Sequence, residues 1–301
     1  MRLIGETNIQ FVARRRLFFV ISGILVLASV AVIVLKGGFN YGVDFTGGSL
    51  LQVRFERPVS TDAVRGALAA AGEAGAAIQR DEFGDFLIRV KPKAGSVSTG
   101  LSERVRRQFE QTLTGNSFEI LREETVGPHI SKELQGKVLL AVIIGMIGIL
   151  IYVSFRFDLR FGTGAVLALI HDTVITLGLV ALFNREMTIT TIAALLTMIG
   201  YSVNDTIVVS DRIREDIKKM RREKFADLVN LATNQVLTRT IVTGLTTLFV
   251  TLSLLLLGAA AIRDFAFVMT VGIVVGTYSS VFVVANFVVE WEQRFPSKQR
   301  R

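Results

Sequence analysis

Three ionisable residues interrupt otherwise uncharged apolar runs: His171 and Asp172 within Phe161–Phe183, and Asp205 within Met187–Ser210. An acid or imidazole at that depth in a membrane costs several kcal/mol unless it is partnered or wet, so each is a candidate for function. At 1.5 Å per residue, Asp172 lies about 16 Å from the start of its run and Asp205 about 9 Å from Asp211-Arg212, both inside a hydrocarbon layer. Thr197, Tyr201, Asn204 and Asp205 recur at helical spacing, giving one polar stripe that faces protein or water rather than lipid. A carboxylate in a low-dielectric cleft gains and loses a proton as its hydration changes, so the chemistry these residues suit is proton transfer. The competing reading for Asp205 is a buried structural carboxylate held by Asn204 or Tyr201. For Asp172 it is a local pair with His171.

Composition removes other chemistries. The chain has no cysteine, so thiolate metal sites, disulfides and cysteine nucleophiles are excluded, and two histidines, His129 and His171, cannot build a histidine-rich metal centre. No Gly-x-x-x-x-Gly-Lys-Ser/Thr stretch occurs, so nucleotide binding has no motif. No enzymatic activity and no cofactor are expected; the coupling species would be the proton.

The elements that must position these groups are membrane spans. Of 301 residues, 50% are hydrophobic and only 20% charged, with a mean hydropathy of +0.50. The apolar excess is gathered into runs long enough to cross a bilayer as helices. The expected spans are 17–35, 138–155, 161–183, 187–210, 240–262 and 265–289. Arg14, Arg15 and Arg16 before the first run could open a signal peptide, but Lys36-Gly37-Gly38 is no small-x-small cleavage site, and an uncleaved anchor is expected. The net charge of +8 is carried by basic residues flanking the spans, which speaks for membrane topology and lipid contact and against nucleic acid. Residues 1–16, the 156–160 turn, the 211–239 connection and the 290–301 tail hold eighteen Lys and Arg, against two in the opposite turns. Both termini and 211–239 are therefore expected in the cytoplasm, and 36–137 outside.

Residues 36–137 alternate in a readable way. Ser49–Glu56, Ala76–Asp81, Phe86–Lys91 and Ser117–Thr125 read as strands. Thr61–Ala71 reads as a helix opened by Ser60, Thr61 or Asp62, and Ser102–Leu113 as a basic amphipathic helix. The order βαββαβ is that of a ferredoxin-like α+β domain. The expected architecture is thus a polytopic α-helical membrane protein of six transmembrane helices, with an extracytoplasmic ferredoxin-like domain between helices 1 and 2. Thr240, Thr243, Thr247 and Thr251, and Gly272-x-x-x-Gly276 with Ser280 and Asn286, mark faces suited to close helix packing. No internal duplication is visible, and six spans with one large outer domain have the size of one half of a two-half transporter.

Read in order, several motifs resemble one family. They are Tyr41-Gly42-Val43-Asp44-Phe45-Thr46-Gly47-Gly48, Val126-Gly127-Pro128, His171-Asp172, Gly200-Tyr201-Ser202-Val203-Asn204-Asp205-Thr206 with Asp211-Arg212-Ile213-Arg214-Glu215, and Asn234-Gln235 with Thr238-Arg239-Thr240. Together they resemble the SecD/SecF protein-export family, relatives of the resistance–nodulation–division (RND) exporters, and the smaller of its two halves. The resemblance implies a bacterial cytoplasmic-membrane protein that uses the proton-motive force to promote export through the Sec translocon. Implied partners are a SecD-like protein, the SecYEG channel, a YajC-like accessory protein and the translocating preprotein. The family's membrane acid maps onto Asp205. Three rival functions are an RND-type proton-coupled exporter half for small molecules, an intramembrane aspartyl protease and a structural assembly subunit. The first usually carries far more chain outside the membrane, the second expects a Gly-x-Gly-Asp motif this chain lacks, and the third leaves Asp205 unexplained.

Overall fold

The computed structural model describes residues 7–81, 83–91, 100–220 and 222–296. Arg2, Gly95 in the 36–137 segment, Arg221, and Lys298, Arg300 and Arg301 of the basic tail lie outside the described residues. Six helices are long and apolar enough to cross a membrane. A chain this apolar folds so because, in lipid, a helix satisfies every backbone N–H and C=O internally. In chain order the helices are α1 (Arg15–Leu35), the short α2 (Val43–Thr46), α3 (Thr61–Ala70), α4 (Leu101–Thr112), α5 (Pro128–Arg156), α6 (Leu159–Leu182), α7 (Ile189–Lys219), α8 (Phe225–Leu257), α9 (Arg263–Ser279) and α10 (Ala285–Arg294). A π-helical segment, Ser280–Val284, joins α9 and α10 into the sixth long helix. The strands are β1 (Asn40–Tyr41), β2 (Gly48–Phe55), β3 (Ala77–Arg80), β4 (Phe86–Val90), β5 (Phe118–Val126) and β6 (Glu186–Met187).

Between α1 and α5, β2 to β5 form an antiparallel sheet in the order β3-β4-β2-β5. The period of two along these strands separates an apolar from a polar face. Leu51, Val53, Phe86, Ile88 and Val90 pack against Val64 and Leu68 of α3 and Val105 and Phe109 of α4 in one buried cluster. Ser60 opens α3 by accepting the Ala63 N–H at 3.2 Å. The other face of the sheet carries Gln52, Arg54, Arg89 and Arg122, and it turns toward the helical bundle. There a cavity of about 290 Å³ lies between the sheet and the α6–α7 and α8–α9 turns.

In the bundle, α6, α7 and the sixth long helix bury half or more of their apolar windows, whereas α1, α5 and α8 bury less than a fifth. The first three therefore form the core, and the outer three present apolar side chains such as Leu27, Ile144 and Phe249. Helix approach is set by small residues. A Cβ built on Gly272 would fall 1.9 Å from Met198 Cγ, and one on Gly276 3.0 Å from Ser202 Cβ, so the Gly-x-x-x-Gly pair seats α9 directly on α7. Gly178 serves likewise between α6 and α1, where an added Cβ would lie 2.3 Å from that of Ser29.

Several helices outrun their apolar stretches. The 211–239 connection is helical on both sides of a short turn: α7 continues to Lys219 and α8 begins at Phe225. Side-chain pairs one turn apart, Arg212–Asp216 and Lys219–Glu215, suit the polar end of α7 to the helix although it has no apolar run. Likewise α5 starts at Pro128, a residue whose fixed φ and missing N–H fit the first helical position.

Candidate functional site

Asp172 sits on α6 at the centre of the bundle and is fully buried. Ser202 of α7 donates to its Oδ2 at 2.5 Å, and Ser279 of α9 donates to the same oxygen at 2.7 Å. His171 Nδ1 pairs with Oδ1 at 2.8 Å. One carboxylate thus joins the three core helices. Hydrogen bonds of this kind across apolar helices average about 0.6 kcal/mol each and reach about 1.7. The imidazole of His171 stacks on Tyr278 with ring centroids 6.1 Å apart, and its Nε2 is buried without a hydrogen-bond partner. Tyr278 in turn shares a hydrogen bond with Ser22 of α1 at 3.1 Å. Ser279 is the last residue before the π-helical turn, a local widening that occurs mostly at functional sites and that resets which face the residues after it present.

Asp205 is placed differently. It is 2% exposed, on the bundle side of α7, and its Oδ2 is buried with no hydrogen-bond partner among the described residues. Arg239 on the neighbouring α8 is the cation whose field reaches it, and the two form no ion pair among the described residues. No hydrogen bond joins Asp205 to Asp172. The connection between them is Ser202, which lies on α7 one turn before Asp205 and binds Asp172. Of the polar stripe, Tyr201 is partly buried with its hydroxyl unpartnered, while Thr197 and Asn204 are exposed in the isolated chain. The stripe therefore splits into an inward part at Ser202 and Asp205 and an outward part at Thr197 and Asn204. His129 is exposed at the start of α5.

The glycine-rich motif serves the other end of α7. Asp44 of α2 accepts the backbone N–H of Ile189, the first residue of α7, at 2.9 Å through Oδ2. This supplements the cap from Thr188, whose hydroxyl accepts the Thr191 N–H at 3.1 Å, and sets a negative charge at the positive end of the helix. β1 pairs in parallel with β6, Asn40 opposite Glu186 and Tyr41 opposite Met187. Gly42 must be glycine at that approach, since a Cβ would stand 2.7 Å from Thr188 Cγ2. Gly47 and Gly48 have φ of +68° and +110°, which L side chains rarely adopt, and they turn the chain from α2 into β2. The Thr46 hydroxyl donates to the Gly42 carbonyl at 3.1 Å, and the Phe45 carbonyl accepts from Gln135 of α5 at 2.6 Å.

Four participants escaped the sequence reading as members of the site: Ser202, Ser279, Tyr278 and Arg239. Hydroxyls are common in membrane helices, and only the fold says which of them meets a carboxylate. Arg239 stood in a quoted motif before the fifth span, and its relation to Asp205 needs the packing of α8 on α7. Among the described residues no group of three or more His, Asp or Glu could hold a metal ion.

With this geometry in place, the comparisons with known proteins are informative. The family model described as protein export membrane protein SecD/SecF, C-terminal, matches residues 105–294, and that of the SecD/SecF GG motif matches residues 32–59. The chain is 42% identical over 289 residues to the protein translocase subunit SecF of Calditerrivibrio nitroreducens, covering 94% of each chain. It is 41% identical to that of Vibrio alginolyticus, covering 93% of this chain and 89% of the relative. The crystal structure of SecDF, a translocon-associated membrane protein from Thermus thermophilus, superposes with a TM-score of 0.84 at 42% identity. That match covers 96% of this chain but 39% of the SecDF chain, so the protein spans well under half of that longer relative. A SecDF structure in a super-membrane-facing form superposes less closely, with a TM-score of 0.70 at 41% identity. A family model over most of the chain, relatives at this identity along nearly their whole length and a matching solved fold lead to one assignment: the chain belongs to the SecD/SecF protein-export family.

Proposed function

We propose that the chain is the smaller, six-span half of a SecD–SecF-type device that uses the proton-motive force to drive protein export. Its part in protein export follows from the family. That the proton gradient drives it is our reading, and one observation carries it: Asp205 is buried in the bundle with an oxygen that has no hydrogen-bond partner among the described residues. A structural carboxylate would be expected to have its acceptors filled, as those of Asp172 are. An acid left short of partners, within the field of a cation on the next helix, suits a group that is loaded and unloaded in a cycle. The chain is then a coupling subunit, with no enzymatic activity and no cofactor besides the proton. Asp172, the other candidate acid, has both oxygens hydrogen-bonded and is read as the knot of the core, with a proton-carrying role left to the test of Asp172→Asn.

The orientation follows the basic residues: 36–137 outside the bacterial cytoplasmic membrane, and both termini with 211–239 inside. A reporter active only outside the cytoplasm is expected to work when fused near Gly95 and to fail near Arg222; the reverse pattern would overturn the orientation. The βαββαβ order and the antiparallel β3-β4-β2-β5 sheet support reading the outer unit as ferredoxin-like.

The partner reading rests on α7 and α8. Thr197 and Asn204 of α7 are polar residues at membrane depth left exposed in the single chain, and so are Thr243 and Thr246 of α8. Polar groups at that depth call for another protein rather than lipid. A SecD-like six-span chain is the occupant proposed, with the SecYEG channel, a YajC-like accessory protein and the translocating preprotein as further contacts, surrounded by membrane lipid. Affinity isolation from mild detergent is expected to return the SecD-like protein in constant ratio. A chain that conducts protons as a homo-oligomer without it would refute the assignment.

A further inference from the structure

The outer domain is joined to the bundle by its two covalent links, to α1 and to α5, and by side-chain and backbone contacts that are far from equal in number. Its covalent link to α1 passes through Gly37 and Gly38, both at positive φ (+72° and +111°) with open space around them, a connection that bends easily. Its hold on the first turn of α7 is built from several independent contacts within Glu186–Ile189. Backbone pairing of β1 with β6 fixes Asn40 and Tyr41 to Glu186 and Met187. Asp44 caps Ile189. Arg89 of β4 donates to Glu186 and, at 2.7 Å, to Asn40, and Arg122 of β5 lies 3.7 Å from the second Glu186 oxygen. Glu186 is almost fully buried, so its charge is answered by arginines of the sheet rather than by water. Two further holds are α5, which follows β5 after Gly127 and whose Gln135 donates to the Phe45 carbonyl at 2.6 Å, and Arg263, over the Phe83 ring and 3.7 Å from Asp85, at the start of α9, which Gly272 and Gly276 seat on α7.

We propose that Asp44 and Glu186 are positioning residues that make the outer domain and α7 one mechanical unit, so that a displacement of the helix carrying Asp205 is delivered directly to the domain. This rests on the proton-coupled reading for its purpose, but not for its mechanics. A helix is stiff along its axis, and a packed sheet is equally so. Motion at one end of such a joined pair appears at the other, whereas the glycine pair after α1 absorbs it. The motif Asp44-Phe45-Thr46-Gly47-Gly48 is then the joint itself: the acid grips α7, and the two glycines turn the chain into β2, the central strand of the sheet.

The test uses the intact chain with its SecD-like partner in lipid vesicles. Because the chain has no cysteine, spin labels can be placed singly at Glu110→Cys on α4 and Lys218→Cys at the far end of α7, both exposed. In the otherwise unaltered protein the distance distribution between them is expected to be narrow and single. Asp44→Ala is expected to broaden it at least twofold and to lower gradient-stimulated export by a similar or larger factor. Asp44→Asn, which keeps an oxygen to accept the Ile189 N–H, is expected to restore the narrow distribution and most of the export. Glu186→Gln, which keeps the shape but removes the charge, is expected to broaden it less than Asp44→Ala. If Asp44→Ala leaves the distribution as narrow as before, the joint does not exist, whatever happens to export. If it broadens the distribution while export is unchanged, the joint exists but transmits nothing, and the proposal fails. Failure of the proton reading is seen separately, in the response of Asp205→Asn to the gradient, and leaves the distance measurement standing.

Discussion

Asp205→Asn is expected to insert, assemble with its partner and support basal export, yet to lose the component stimulated by a proton gradient. The substitution keeps size and hydrogen-bonding capacity and removes the only proton α7 could exchange at that depth. Because Asp205 Oδ2 has no partner to lose, the variant breaks no hydrogen bond and should fold as well as the parent. A buried ionisable group without a partner is costly to retain, and replacing it with a neutral isostere relieves that cost. Export into vesicles, at matched protein levels with and without an imposed gradient, should show the gradient-dependent increment falling about tenfold or more, to the level of the collapsed gradient. Asp205→Glu, which changes reach alone, should retain part of it. Full stimulation in Asp205→Asn would make Asp205 a structural carboxylate and remove the basis of the proton reading.

Asp172 is expected to behave in the opposite way, as the knot of the core. Asp172→Leu leaves Ser202, Ser279 and His171 facing a side chain that accepts nothing, and removes the two bonds that tie α6 to α7 and α9 together with the local bond to His171. At about 0.6–1.7 kcal/mol per bond across membrane helices, the loss of the two interhelical bonds is about 1–3 kcal/mol. The readouts are a fall of several degrees in the apparent melting midpoint in detergent and a lower yield of intact complex. Asp172→Asn should be far milder for a specific reason. The amide oxygen still accepts from both serines, and its NH2 meets His171, whose Nδ1 becomes an acceptor when the proton moves to Nε2. That variant should melt within a degree or two of the parent and keep its gradient-stimulated export. Loss of stimulation in Asp172→Asn at unchanged stability would instead make Asp172 a second carrier of the proton.

The contrast between these acids shows how far the sequence carried the description. Six apolar runs mark six long helices because lipid allows a crossing segment little else. The alternation of the 36–137 segment gives β2 to β5, α3 and α4 within a residue or two of their ends, because Leu51, Val53, Phe86 and Ile88 must all face α3 and α4, but it does not give the short β1 and α2, which are held by contacts with the start of α7. The ends of α5, α7 and α8 were not legible. Beyond the bilayer, their helix is kept by charge pairs, a proline start and packing rather than by an apolar run. Asp172 and Asp205 stood out equally as misplaced charges, since residue type reports the cost of burial and not how it is met.

What the sequence determined by itself is therefore whatever depends on local composition and on one solvent boundary: the membrane class, the number of crossings, the order of the outer elements and the presence of two buried acids. The tertiary structure decided which acid is satisfied and which is not. That depends on residues 30 and 107 positions from Asp172, brought to it only because Gly272 and Gly276 let α9 lie against α7. It likewise decided that Asp44 serves Ile189, 145 residues away. A hydrogen bond is short and directional, so its partner is fixed by where packed helices bring two groups within 3 Å of each other, and sequence distance carries no record of that.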